Sequence, residues 1–249
     1  MLDRNVFLRP IAHRGLHDAG RGRIENTMPA FEAALARGYG IECDLRPASD
    51  GTPMVFHDVN LDRLTEGSGP LAAYSAAELK TLRYRHADTR MLTFAELLEM
   101  TAGRTPLLAE IKSEWASPDP DFLKPIAAFA AAYRGPLALM SFDPALMAAV
   151  RVLAPHVPRG IVAGLYQGDG WWRDIIGEER AFRLSHLLES APAEPSFYAY
   201  HVAALPTPVT RFAREVMGIA LFTWTVRTED DRRRAAAWAD APIFEGFEP

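Results

Sequence analysis

Cysteine is nearly absent. Cys43 is the only one in 249 residues, which excludes an internal disulfide and suits a reducing compartment. Long hydrophobic runs are missing too: none approaches the roughly 20 residues needed to span a bilayer. Residues Met1 to Val6 offer neither the apolar stretch nor the cleavage site of a secretory signal, so a cytoplasmic location is expected. There is no excess of positive charge. The 27 basic and 32 acidic side chains leave a formal net charge of −5, so no long-range attraction to nucleic acid or to an anionic membrane is expected. Neither a stable membrane association nor a nucleic-acid partner is anticipated. Repeats, low-complexity tracts and linkers are also lacking, and residues 1–249 read as a single domain. Oligomeric state leaves no signal.

What is present is a regular alternation. Apolar runs at 10–13, 40–45, 53–57, 106–111, 137–141, 160–164, 197–202, 219–226 and 241–244 read as strands. Helical patterns fall between them at 27–37, 93–101, 122–133, 144–153, 178–190, 208–217 and 229–238. Thr27 and Gly38 suit the cap and the stop of the first helix. Thr93 followed by Glu96 reads as a capping box. Strands alternating with helices imply a parallel sheet, and about eight such units imply an α/β fold closed as a (β/α)8 TIM barrel. Nine candidate strands compete for eight places, so one of the last three is expected to be irregular or outside the barrel. Residues of about 59–92 are long for a loop and read as a small insertion after strand three.

Charged residues recur at the strand ends. Strand one ends in His13-Arg14, strand two carries Glu42 and Asp44, strand three ends in His57-Asp58, and strand four carries Glu110 and Lys112. Residues two apart on a strand share a face, so these groups converge at one mouth if that face is the barrel interior. Any one of them alone is most simply solvated. Together they are not, because buried carboxylates are costly unless paired or bound to a metal. Three carboxylates without a thiol suit a hard cation, Mg²⁺ or Ca²⁺. Arg14 and Lys112 beside it suit a phosphate, and two histidines could serve as acid and base in displacement at phosphorus.

At this point the chain resembles the glycerophosphodiester phosphodiesterases. The matching motifs are "HRG" at His13, "ENT" at Glu25, "IECD", "SDGTPMVFHD", "LDRLTEGSG", "AEIK", "SF" at Ser141 and "TWTV" at Thr223. The resemblance implies a barrel with a short insertion after strand three, and a metal-dependent enzyme that splits a small glycerophosphodiester into glycerol 3-phosphate and an alcohol. By the same carry-over Glu42, Asp44 and Glu110 are metal ligands and His13 and His57 the acid/base pair. Arg14 and Lys112 hold the phosphate, and Trp224 and Phe142 line the substrate. Ile24 replaces the family's usual proline, "MLTF" its "PTL", and "IFEGFEP" its closing "TDxP". These departures are expected to leave the proposed site residues untouched.

Other features have plainer readings. Cys43 should face the helices as a packed thiol. His17, His86, His156, His186 and His201 are expected at the surface or in the core. "WWRD" at 171–174 could line a groove or form a packing patch, and "DDRRR" at 230–234 suits a solvated helix face. Two rival readings stand beside the leading one. One is a phospholipase-like phosphodiesterase that stops at a cyclic phosphate. The other is an inactive barrel that only binds a phosphorylated ligand, which would expect a lost histidine or carboxylate, and none is missing. The leaving alcohol, the identity of the ion and the division of labour between the histidines are not legible.

Overall fold

Eight parallel strands close on themselves in the computed structural model, which describes every residue of the chain except Asp169 and Trp171. They are β1 (Ile11–Ala12), β2 (Gly40–Pro47), β4 (Leu107–Ile111), β5 (Leu137–Ser141), β6 (Arg159–Ala163), β7 (Phe197–His201), β8 (Ala220–Val226) and β9 (Ala241–Phe244). Each pairs in parallel with the next, and β9 pairs back onto β1 through Ile11 opposite Ile243. The fold is a TIM barrel carrying one extra strand. That strand, β3 (Pro53–Val55), runs antiparallel to β2 with Leu45 opposite Val55.

The supernumerary strand is therefore the third in the chain and not one of the last three. β9 closes the barrel, and the expected irregularity among the last strands is a register shift between Thr223 and Val226 where β8 pairs with it. Pro47 and Pro53 are joined by five residues, whereas a parallel crossover needs about a dozen or more, so a hairpin is the only connection that fits. The insertion begins with this hairpin, in the long loop between β2 and β4. It has a core of its own in which Met54, Phe56, Leu61, Leu71, Leu79, Tyr84 and Met91 pack together.

Helices α1 (Arg4–Phe7), α2 (Met28–Ala36), α3 (Ala76–Leu79), α4 (Phe94–Thr101), α5 (Pro120–Ala132), α6 (Pro144–Leu153), α7 (Trp172–Ile175), α8 (Gly177–Ser185), α9 (Pro208–Arg211) and α10 (Glu229–Trp238) fill the connections. The Thr93–Glu96 capping box forms as its spacing predicts, with each side chain bonded to the other residue's backbone N–H. Thr27 sits at the N-cap of α2 without capping it; its hydroxyl donates to the Ile24 carbonyl at 2.6 Å instead. The helix predicted over 208–217 ends early as α and continues as a π turn, Phe212–Val216. No helix of the described residues is long and apolar enough to cross a membrane.

Side chains divide by parity along the strands, as the pleat requires. Ile11, Leu108, Met140, Val162, Phe197, Phe222 and Ile243 fill the barrel, and Leu2 and Phe7 pack with them at its amino-terminal end. Cys43 points the other way into the layer under the helices, beside Ile41, Leu45 and Phe94. Gly160 makes the interior possible at one point, because a Cβ there would lie 2.3 Å from the Phe197 ring. At the carboxyl ends of the strands the parity continues and the apolar filling stops.

Candidate active site

A cleft of about 720 Å³ opens at the carboxyl ends of the strands, within the range usual for small-molecule sites. His13, Arg14, Glu42, His57, Glu110 and Lys112 all line it. Asp44 lies just beneath, fully buried. The residues singled out from the sequence are thus brought together, although they come from three strands and a hairpin.

Glu42, Asp44 and Glu110 each offer an oxygen within 4.8 Å of the others. Lys112 Nζ stands between two of them, 2.7 Å from Asp44 Oδ1 and 2.6 Å from Glu110 Oε1. That buried Asp44 oxygen has no partner other than the ammonium. Asp44 Oδ2 accepts one from Asn26 Nδ2 at 2.8 Å. Burial opposes charge on Asp44, yet Lys112 and Arg14 hold its carboxyl well below the usual carboxylate range. Glu42 goes the other way. Burial, with the charges of Asp44 and Glu110 added, pushes it well above that range.

Each histidine rests on a carboxylate. His13 Nδ1 lies 2.5 Å from Glu245 Oε2, and His57 Nδ1 lies 2.9 Å from Asp58 Oδ1. A carboxylate only accepts, so Nδ1 carries the proton in both rings and Nε2 is left for the cleft. Burial lowers the pKa of His13, and its bond to Glu245 offsets that only in part. Against the cost of burial, the hydrogen bond from His13 holds Glu245 well below the ordinary range.

Arg14 is held from several sides. Its Nη1 donates to Glu25 Oε1 at 2.7 Å, and its Nε lies 3.3 Å from Asp44 Oδ2. Its backbone N–H donates to Glu42 Oε2 at 2.9 Å from a left-handed conformation, φ +55°. Such a conformation costs a non-glycine residue roughly 1–2 kcal/mol, and the surrounding bonds hold it in place. Gly15 follows at φ +79°, where a Cβ would lie 2.9 Å from the Ala30 backbone and the Phe31 ring. The glycine of "HRG" is there because α2 passes too close for any side chain.

Five residues of this network were not read as part of the site from sequence: Glu25, Asn26, Asp58, Arg63 and Glu245. Arg63, from the insertion, donates to Glu25 at 2.8 and 2.9 Å and to Asp58 at 2.6 and 3.0 Å. It thereby ties the partner of Arg14 to the partner of His57. Glu245 belongs to the "IFEGFEP" segment, so that departure does reach the site. His17 and His201 are corrected as well. His17 Nε2 lies 3.6 Å from Glu245 Oε2. His201 ends β7, lines the cleft and packs edge-on to Trp224 at 4.9 Å.

Trp224 and Phe142 line the same cleft, their rings 5.2 Å apart, and Trp224 Nε1 donates to the Ala199 carbonyl at 3.0 Å. Trp172 lines it too, whereas Trp171 lies outside the described residues. His86, His156 and His186 do not line the cleft. Asp230 and Arg232 to Arg234 are exposed on α10, with Asp231 of that run half-buried.

Comparison with known proteins agrees with the barrel fold. The model of the glycerophosphoryl diester phosphodiesterase family matches residues 13–245. A glycerophosphodiester phosphodiesterase of Caldanaerobacter subterraneus is 29% identical over 247 residues, covering 94% of this chain and 93% of that protein. A Mycobacterium tuberculosis protein named Probable glycerophosphodiester phosphodiesterase 1 is 30% identical over 171 residues; the match spans 59% of this chain and 61% of that relative. Among solved structures, a phosphodiesterase of Oleispira antarctica in complex with sn-glycerol-3-phosphate superposes with a TM-score of 0.74. It is 21% identical, and the match covers 95% of this chain and 92% of that one.

Proposed function

The chain belongs to the glycerophosphoryl diester phosphodiesterase family, and from that premise we propose that it hydrolyses small glycerophosphodiesters to glycerol 3-phosphate and an alcohol. One observation carries the reading: two carboxylate-bound histidines face a cleft whose floor holds three convergent carboxylates and two cationic side chains. A site that only bound phosphate would have no use for the carboxylates, which repel it.

The donor set fits a divalent cation. Three oxygens lie close together, Asp44 Oδ1 has no partner but the Lys112 ammonium, and Glu42 is forced toward its neutral form by burial and by the charges of Asp44 and Glu110. Oxygen donors without sulfur suit Mg²⁺ or Ca²⁺. Glu42, Asp44 and Glu110 would hold it, and when bound it would neutralise charge on the phosphate and acidify a hydroxyl beside it. Arg14 and Lys112 bind the non-bridging oxygens. His13, kept neutral by burial, takes the proton from the glycerol 2-hydroxyl, whose oxygen attacks phosphorus. His57 gives a proton to the departing alcohol as that P–O bond breaks. The product is a five-membered cyclic phosphate, which water opens with the two roles reversed. Tethering the nucleophile favours this route, since effective molarities reach about 10⁵ M or more.

The test is hydrolysis of glycerophosphoethanolamine followed by phosphorus NMR. Glycerol 3-phosphate should accumulate, the reaction should stop with a chelator, and Mg²⁺ or Ca²⁺ should restore it. A substrate with hydrogen in place of the 2-hydroxyl should be inert; normal turnover of it would replace the cyclic route by direct attack of water. Undiminished turnover in chelator would overturn the metal assignment.

Arg14 gives a sharper check. Its planar guanidinium can meet two phosphate oxygens while Glu25 steadies it, and lysine cannot copy that geometry. Arg14→Lys should lower kcat/KM by about tenfold or more, on the scale of one charge-assisted hydrogen bond. Unchanged kinetics would reduce Arg14 to a structural brace.

A further inference from the structure

The two halves of the cleft differ in chemistry. The charged groups come from β1, β2, the β3 hairpin and β4, with Arg227 added after β8. The segments after β5 and β6 contribute Phe142, Leu165, Tyr166, Trp172 and Ile175. Leu165 and Ile175 are exposed at 42% and 55% although both border the cleft. Tyr166 packs edge-on to Trp172 at 6.2 Å, so the wall is continuous from the rim inward. Scattered apolar residues on a surface need no explanation. A run of them that joins a reactive centre does.

Two arginines occupy the indoles behind this wall, Arg173 paired with Glu178 at 3.0 Å and Arg180 with Asp143 and Glu189 at 3.3 Å each. Arg173 lies over the Trp172 ring at 5.0 Å, and Arg180 lies over the ring of Trp115, another lining residue, at 5.1 Å. Both indoles already share a face with a cation. An ammonium group placed on the wall would compete with those guanidinium groups for the indole rings. Among the described residues, β5 to β8 and their loops contribute no carboxylate to the cleft lining.

We infer that this wall receives the leaving alcohol and selects an uncharged apolar one, an alkyl or aryl group, over choline or ethanolamine. The inference rests on the phosphodiesterase reading above. Phosphate and glycerol carry the charges and hydroxyls that suit the polar half, which leaves the other ester arm to the apolar half. Each methylene buried there should raise kcat/KM by about fourfold until the wall is covered.

The experiment is a series of glycerophosphate esters of methanol, butanol and hexanol, with glycerophosphocholine and a 1-hexanoyl glycerophosphomethanol alongside. The hexyl ester should exceed both the methyl ester and glycerophosphocholine by at least about tenfold in kcat/KM. Leu165→Asp and Ile175→Asp, at exposed positions, should flatten the series by lowering the hexyl value more than the methyl value. A flat series, a preference for glycerophosphocholine, or a gain only from the chain on glycerol would overturn the inference and leave the activity standing. No turnover of any ester would overturn the parent reading, and this one with it.

Discussion

Glu42→Gln should abolish turnover and, in cation-free buffer at neutral pH, raise the melting temperature. If the cluster holds the proposed cation, loss of one oxygen from it removes several kcal/mol of charge stabilisation at the reacting phosphate, a rate loss on the order of a thousandfold or more. The stability effect has the opposite sign because burial and the charges of Asp44 and Glu110 push the Glu42 carboxyl well above its ordinary range. A carboxyl whose folded pKa is raised binds its proton more tightly folded than unfolded. Stability is therefore lost as pH rises from the unfolded value toward the raised one. Glutamine has no charge to bury, and its amide oxygen can still accept the Arg14 N–H that Glu42 accepts at 2.9 Å. Saturating Mg²⁺ or Ca²⁺ should reverse the order of melting temperatures, since only the wild type gains stability from binding. A variant that melts lower than wild type without cation would show that Glu42 is not under this electrostatic load.

Removal of either histidine is the second large effect. His13→Ala and His57→Ala should each cost at least about a hundredfold in kcat, the lower range for acid–base catalysis. The double variant should lose little more than the worse single one, because the two act as a unit. Glu245→Gln should act through His13. It replaces a pure acceptor by an amide that can accept or donate, so the Nδ1 proton is no longer fixed, and it removes the charge that partly offsets the burial-lowered pKa of the ring. The acidic limb of kcat/KM should then move to still lower pH, while kcat falls because the productive tautomer is no longer enforced. For wild type, a histidine lowered from 6.5 contributes stability that is present above that value and lost as pH falls through the lowered one. A pH profile unmoved by Glu245→Gln would leave Glu245 as a structural partner only.

Much of this site was legible because strands enforce parity. Glu42 and Asp44, like Glu110 and Lys112, lie two apart, and no arrangement of a single strand could separate them. β5, β9, α6 and α10 fall where their periodicity places them. What escaped was whatever depends on pairing rather than pattern. "PMVF" is an apolar run like any barrel strand, and only its partner reveals a hairpin; the five-residue connection over 48–52 was the available signal. Glu245 meets His13 across 232 positions of sequence, and nothing local marks it. Its parity with Ile243, which faces the barrel, was the one hint. Arg63 was hidden by lying in a segment with its own core, where charge reads as surface.

The pairing of β1 with β9 bears on how the protein comes into being. A chain emerging from the ribosome could assemble the carboxylate cluster once β4 has been made, since β2 and β4 are direct neighbours. His13 would wait for Glu245 until β9 is delivered, through the largest loop closure in the barrel. Contacts of such separation carry the greatest entropic cost and form late. Nascent chains arrested between β4 and β9 would thus carry the acidic cluster with one histidine still unsteadied. Activity would switch on only when the seam shuts, so arrival of β9 would mark both completion of the barrel and the first competent enzyme.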